Sequence, residues 1–171
     1  GLDDLRMLDL SSNKLVDLSR SVDVFSNLRH LTVLNLSNNT INDIPRHMFY
    51  GLGNLIHLNM ANNKLYVMPY QAFESMMSVE IIDLSYNLLV SFLDNFFVHN
   101  SKLKVLHLHN NNIRGINKNS LYGLKELHTL DLSHNRMSHI DRNAFDTLDS
   151  LKILNLGNNH IEELSSIVFL S

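Results

Sequence analysis

LTVLNLSNNTINDIPRHMFYGL, residues 31–52, opens on closely spaced leucines, reaches an asparagine, and continues as a wider apolar series. Its first eleven positions follow the phrase L-x-x-L-x-L-x-x-N-x-(L/I/M). With conservative replacements the phrase recurs from Leu5, Leu31, Leu55, Val79, Leu103, Leu127 and Leu151. The first step is 26 residues long and the other five are 24. Self-similarity at a fixed period is the mark of a solenoid, in which each unit buries its apolar face only by stacking on its neighbours. Residues 1–171 therefore read as a single solenoid domain of seven repeats.

Each position in the repeat has an expected role. Leu34 and Leu36 alternate with Val33 and Asn35, the pattern of a strand whose successive side chains face opposite ways. Asn39 follows, with counterparts Asn13, Asn63, Asn87, Asn111, Asn135 and Asn159. A side-chain amide offers two donors and an acceptor, so these residues are expected to form a ladder that satisfies backbone groups at the turn. The outer part continues the core through Ile41, Leu65, Leu89, Ile113, Met137 and Ile161, then Ile44, Met68, Phe92, Ile116, Ile140 and Leu164. Pro45 and Pro69 suit an extended or turning segment better than a helix interior. A stacked aromatic spine is expected from Phe25, Phe49, Phe73, Phe97, Phe145 and Phe169, with Leu121 substituting once. The two extra residues of the first repeat fall between Leu18 and Phe25 and should bulge on the convex side.

Composition narrows the function classes. Lys and Arg total 14 against 17 Asp and Glu, so no general polyanion-binding signal exists and nucleic acid is not an expected partner. No apolar run reaches the ~18 residues of a membrane span, so no direct membrane insertion by this segment is expected. No nucleophile–base–acid set and no glycine-rich phosphate loop emerges, so an enzyme is not expected and no cofactor is assigned. Gly1-Leu2-Asp3-Asp4-Leu5 corresponds to Gly51-Leu52-Gly53-Asn54-Leu55, the close of one repeat and the start of the next. With no cysteine for a disulfide cap at either end, the chain reads as an internal segment without capping modules.

These residues resemble the leucine-rich repeat family in its 24-residue typical subclass, over essentially the whole chain. The subclass pattern L-x-x-L-x-L-x-x-N-x-L-x-x-I-P-x-x-x-F-x-x-L is nearly met by residues 31–52. The resemblance implies an α/β solenoid: a horseshoe with a parallel β-sheet on the concave face and an irregular or short helical convex side. It also implies an extracellular or cell-surface ectodomain, as in Toll-type receptors, chaoptin-like adhesion proteins and Slit-like guidance proteins. Two N-x-S/T sequons, at Asn35 and Asn38, fit that location, although the repeat consensus writes N-L-S by itself.

Strands ~4.7–4.9 Å apart turn equivalent positions into columns on the concave face. One column runs Met7, Val33, His57, Ile81, Val105, Thr129 and Ile153, either as strand formers or as an exposed apolar stripe that binds protein. The next runs Asp9, Asn35, Asn59, Asp83, His107, Asp131 and Asn155, placing His107 between two carboxylates expected to favour its charged form. The third runs Ser11, Ser37, Ala61, Ser85, His109, Ser133 and Gly157, with Tyr86 and His134 one position beyond.

Repeats four to six thus gather Asp83, Tyr86, His107, His109, Asp131 and His134. Three readings compete: a solvated surface with scattered histidines, a protein-binding site, and a metal site. His-x-His with carboxylates can supply zinc ligands, but parallel strands rarely converge four on one point, so no metal is assigned. The expected ligand-binding residues are His57, Ile81, Asp83, Tyr86, Val105, His107, His109, Asp131 and His134. They would serve an extracellular protein-recognition module that binds a protein ligand or adhesion partner on a rigid surface. The alternative is a structural spacer or lateral self-assembly segment, a homo-oligomer or matrix component, with contacts on the convex flanks or at residues 19–23.

Overall fold

The computed structural model describes residues 1–18, 23–166 and 168–169. Seven three-residue strands follow in chain order: β1 (Met7–Asp9), β2 (Val33–Asn35), β3 (His57–Asn59), β4 (Ile81–Asp83), β5 (Val105–His107), β6 (Thr129–Asp131) and β7 (Ile153–Asn155). They form one parallel sheet in sequence order. The register pairs each strand with its neighbour at equivalent repeat positions, for example Ile81 with Val105 and Asp83 with His107. Three residues make a short strand, but inter-repeat hydrogen bonds continue past it. Leu84 N–H donates to His107 O at 2.9 Å and Tyr86 N–H to His109 O at 3.0 Å.

The central residue of each inner strand, Leu34, Leu58, Ile82, Leu106 and Leu130, is fully buried, as are Leu36, Leu84, Leu108 and Leu132 two positions on. Burying a side chain of this kind contributes about 1.5–3 kcal/mol. The described residues contain no helix, so the α component of the expected class is absent and the convex side takes its irregular form, a run of tight turns. Pro45 and Pro69 open two of these turns, where their carbonyls accept from Met48 and Ala72 N–H at 3.0 Å.

The asparagine ladder forms as expected. Asn87 Nδ2 donates to Leu84 O of its own repeat and to Met60 O of the preceding one, while its Oδ1 accepts Leu65 N–H at 3.0 Å. Met60 O also accepts from Asn63, and Leu84 O also accepts from Asn111. Each strand-exit carbonyl from Leu10 to Leu132 is shared in this way by two amides, its own repeat's and the next one's, which links the repeats into a continuous hydrogen-bonded wire. Asn39, Asn63, Asn87, Asn111 and Asn135 are buried. Asn159 is half-buried and Asn13 is exposed.

The phenylalanine column is buried from Phe25 to Phe145, with Leu121 in line. Its central rings tilt rather than stack: Phe49 and Phe73 lie 5.9 Å apart at 47°, and Phe73 and Phe97 6.2 Å apart at 41°. Phe92 and Phe96 crowd the same layer, Phe96 meeting Phe97 edge-on at 4.9 Å. Two residues expected in the core are not. Phe169 is 56% and Leu164 57% exposed, because no further described layer packs over the seventh repeat. Phe169 still stacks on Phe145, at 6.1 Å and 7°. Residues 19–22, which carry most of the expected bulge, lie outside the described residues.

Gly123 marks a close approach between neighbouring convex turns. Its φ is +104°, and a Cβ there would stand 2.6 Å from Val98 Cα and 2.7 Å from Phe97 O, both backbone atoms. Gly123→Ala is therefore expected to lower stability by about 2–3 kcal/mol, combining left-handed strain with a displaced turn. Urea denaturation of the two chains checks this; a loss under ~0.5 kcal/mol, as at an ordinary surface site, would contradict it.

Candidate ligand-binding surface on the concave sheet

The geometry separates residues that touch from residues that merely share the face. His107 ends β5, and His109 lies two residues further along the same side. Their rings stand 5.8 Å apart at 81°. Tyr86 meets His109 edge-on, with centroids 5.3 Å apart at 83°. Asp131, opposite His107 in the register, sends Oδ2 to 3.7 Å from His109 Nδ1. Tyr86, His107, His109 and Asp131 therefore form one contiguous group across β4 to β6.

The expected pairing of His107 with Asp83 and Asp131 does not form, and the reason is local. Asp83 Oδ1 accepts Ser85 N–H at 2.9 Å and Ser85 Oγ–H at 2.6 Å. Asp131 Oδ1 does the same with Ser133, at 2.9 and 2.7 Å. Asp9, Asn35, Asn59 and Asn155 likewise accept the N–H two residues on. The whole column is thus a set of side-chain-capped turns, and its carboxylates are committed to the backbone of their own repeat. His107 is the one member that makes no such bond. The histidine that reaches a carboxylate is His109. Burial acts to raise the Asp131 pKa and is the largest single influence on it. The hydrogen bonds from Ser133, with the nearby His109 and Asn155, outweigh it and hold the carboxyl below its ordinary value. Two ring atoms, His107 Nδ1 and His109 Nδ1, are buried with no hydrogen-bond partner.

A further feature escaped the sequence reading. The residue before each ladder asparagine has a left-handed backbone: Ser12, Asn38, Asn62, Tyr86, Asn110, His134 and Asn158, with φ between 52° and 55°. Asparagine and, less often, histidine visit this region, whereas a bulky side chain such as that of Tyr86 is a conformational outlier there. Four of the seven residues are asparagine, and the two ring-bearing exceptions, Tyr86 and His134, fall in repeats four and six. Aligning the repeats shows the column, but the sign of φ is visible only in the structure.

The remaining expected site residues are more dispersed. Ile81 and Val105 start β4 and β5 and are half-buried, as are Val33, His57 and Thr129. The apolar column is therefore an exposed stripe only at its ends, at Met7 (59%) and Ile153 (58%). His57 lies on β3, two strands from His107, or roughly 10 Å at strand spacing. His134 is exposed, and its Nε2 lies 3.1 Å from Asn158 Nδ2. Of the sequon residues, Asn38 is exposed, and its Oδ1 accepts Asn62 Nδ2–H at 2.7 Å. Asn35 is half-buried, and its Oδ1 is taken up by Ser37 N–H.

A parallel sheet of identical short strands, a shared asparagine wire and a convex side of turns define a leucine-rich repeat solenoid. Residues 3–65, 29–89, 77–137 and 125–171 each match the sequence family described as Leucine rich repeat, and the chain belongs to that family. Among solved structures it is similar to a chain of the TLR13–ssRNA13 complex, with a TM-score of 0.89 and 30% identity over 96% of this chain. It is also similar to the Leptospira interrogans LRR protein LIC12759, with a TM-score of 0.81, 30% identity and the same coverage. Among curated proteins, 51 residues are 45% identical to the protein flightless-1 homolog of Mus musculus. This chain spans 23% and 40% of the two solved chains, and the matched segment covers 4% of the flightless-1 homolog. Among the described residues, no helix is long and apolar enough to cross a membrane.

Proposed function

We propose that this segment is a protein-recognition module in the ectodomain of a cell-surface receptor or adhesion protein, and that it binds its partner on the concave face of repeats four to six. One observation carries the reading. Where other repeats place asparagine or serine in the left-handed turn, repeats four and six place Tyr86 and His134, and between them repeat five places His109 among serines, an alanine and a glycine. A left-handed tyrosine costs roughly 1–2 kcal/mol that asparagine would largely avoid, and its ring is spent on the concave face, against His109. Strain retained at one place on a regular scaffold points to a function at that place. A tyrosine and histidines on rigid strands suit recognition, because little side-chain freedom is lost on binding. Asp9, Asp83 and Asp131 stand in the concave columns without a lysine or arginine beside them in those columns. That charge pattern favours a protein partner over a polyanion such as the RNA named for the TLR13 complex.

Tyr86→Asn in the full-length protein is expected to leave stability unchanged or raise it by up to about 1 kcal/mol. The same substitution is expected to weaken the partner by more than about 30-fold, as loss of an anchoring aromatic does. Thermal denaturation and titration of the partner, identified by photo-crosslinking from position 107 on cells, read the two effects. Lower stability with undiminished binding would overturn the reading. An extracellular location rests on the family resemblance and the two sequons. Intact mass before and after N-glycan removal tests it, with mass loss at Asn38 expected and a glycan-free protein against it.

A further inference from the structure

We propose that His107, His109 and Asp131 form a binding site for a zinc-class divalent ion. One ring nitrogen from each histidine and one carboxylate oxygen of Asp131 all lie within 4.8 Å of one another. The spacing follows from the fold: residues i and i+2 of a strand face the same side, and the parallel register sets Asp131 across from His107. The 3.7 Å from His109 Nδ1 to Asp131 Oδ2 is too long for a hydrogen bond. It lies close to the roughly 3.3 Å that separates two ligand atoms of a tetrahedral ion with ~2.0–2.1 Å bonds. The remaining separations, all within 4.8 Å, would shorten on binding by rotation of the histidine side chains.

The second observation is independent of the spacing. Both Nδ1 atoms are sealed from solvent and have no hydrogen-bond partner. Such atoms are rare in folded proteins, and each calls for a specific cause. Asp131 is prepared as well: Oδ1 is anchored by Ser133, which fixes the carboxylate, and Oδ2 is the oxygen directed at His109. Tyr86 packs edge-on against the His109 ring, a contact that helps to fix the orientation of a ligand. Two imidazoles and a carboxylate select zinc, copper or nickel over calcium or magnesium, which prefer all-oxygen sets. Three protein ligands leave a coordination position open. On the concave-face reading, a histidine, carboxylate or thiolate of the bound protein takes it; the ion site itself does not depend on that reading.

The test uses this chain and zinc chloride alone, so its outcome is separate from that of the docking reading. Calorimetric titration is expected to show one zinc equivalent with a micromolar or tighter Kd and no comparable calcium binding. Asp131→Asn keeps the turn, since Asn35, Asn59 and Asn155 cap the same turn in their own repeats. His109→Ser restores the residue present at Ser85 and Ser133. Each is expected to weaken zinc by more than about tenfold, a loss that even outer-shell changes at metal sites can cause. His99→Ala, in an exposed convex turn, should leave zinc affinity unchanged. Absence of saturable zinc binding, calcium binding of equal strength, or a loss in His99→Ala as large as in His109→Ser would overturn the proposal.

Discussion

Asn87→Ala is expected to destabilise the protein by about 3 kcal/mol, the sum of one orphaned donor and two weakened acceptors. Leu65 N–H, buried and bonded to Asn87 Oδ1, is left without that partner. Met60 O and Leu84 O each keep one ladder amide, from Asn63 and Asn111, and lose the other. Asn87 is central and 5% exposed, so water does not replace what is removed. Nearest-neighbour coupling holds a solenoid together, and a break between repeats three and four also lets the two halves unfold separately. Urea unfolding should therefore show a lower midpoint and a shallower slope. Asn13→Ala is the internal comparison. Asn13 is exposed and donates to Leu10 O and Ser11 O, and its loss should cost less than about 1 kcal/mol. Equal effects at the two positions would mean that the shared wire does not couple the repeats.

Phe97→Ala should cost about 3–5 kcal/mol, the scale for emptying a large aromatic site in a core. Phe97 is fully buried and lies within 6.2 Å of three rings, those of Phe73, Phe92 and Phe96. All three are buried, Phe73 in the preceding repeat and Phe92 and Phe96 in the same one, so the void is only partly refilled. Phe97→Leu provides the control that separates volume from aromaticity. Leucine already occupies this column at Leu121, fully buried, so that substitution should cost less than about 1.5 kcal/mol. Chemical denaturation distinguishes the outcomes. If alanine and leucine proved equally damaging, ring–ring geometry would dominate and the volume argument would fail.

Much of the architecture was legible because periodicity aligns the chain against itself. Strand register, inward leucines and asparagine ladder all follow once the repeats are superposed, and the phenylalanine column does so up to Phe145. Phe169 and Leu164 broke the pattern for a physical reason: a repeat position specifies burial only when a neighbour supplies the other wall. Asn100 is a different kind of miss. It stands where other repeats have Leu52, Met76 or Leu124, yet it is buried, with Nδ2 bridging Phe73 O and Met76 O. A column scan exposes the substitution, but the carbonyls awaiting it are visible only in three dimensions.

The candidate site was legible as a place but not as a set of contacts. Its members could be gathered from the columns, whereas their pairing could not. The charge argument for His107 treated Asp83 and Asp131 as free, and their short side chains reach the backbone N–H two residues on more easily than a neighbouring strand. The uniform Asp/Asn character of that column was the available signal. The left-handed turn at Tyr86 and the unpartnered ring nitrogens of His107 and His109 had no counterpart in the sequence.

The most direct measurement of the account is side-chain footprinting of the full-length protein with and without its bound partner, by histidine carbethoxylation and tyrosine modification. Binding on the concave face of repeats four to six should shield Tyr86, His107, His109 and His134 together. The exposed Tyr50, Tyr122 and His99, which lie in the convex turns, should stay reactive. Protection of those convex residues with the four concave ones unchanged would contradict the account and return the segment to a structural, laterally packing role.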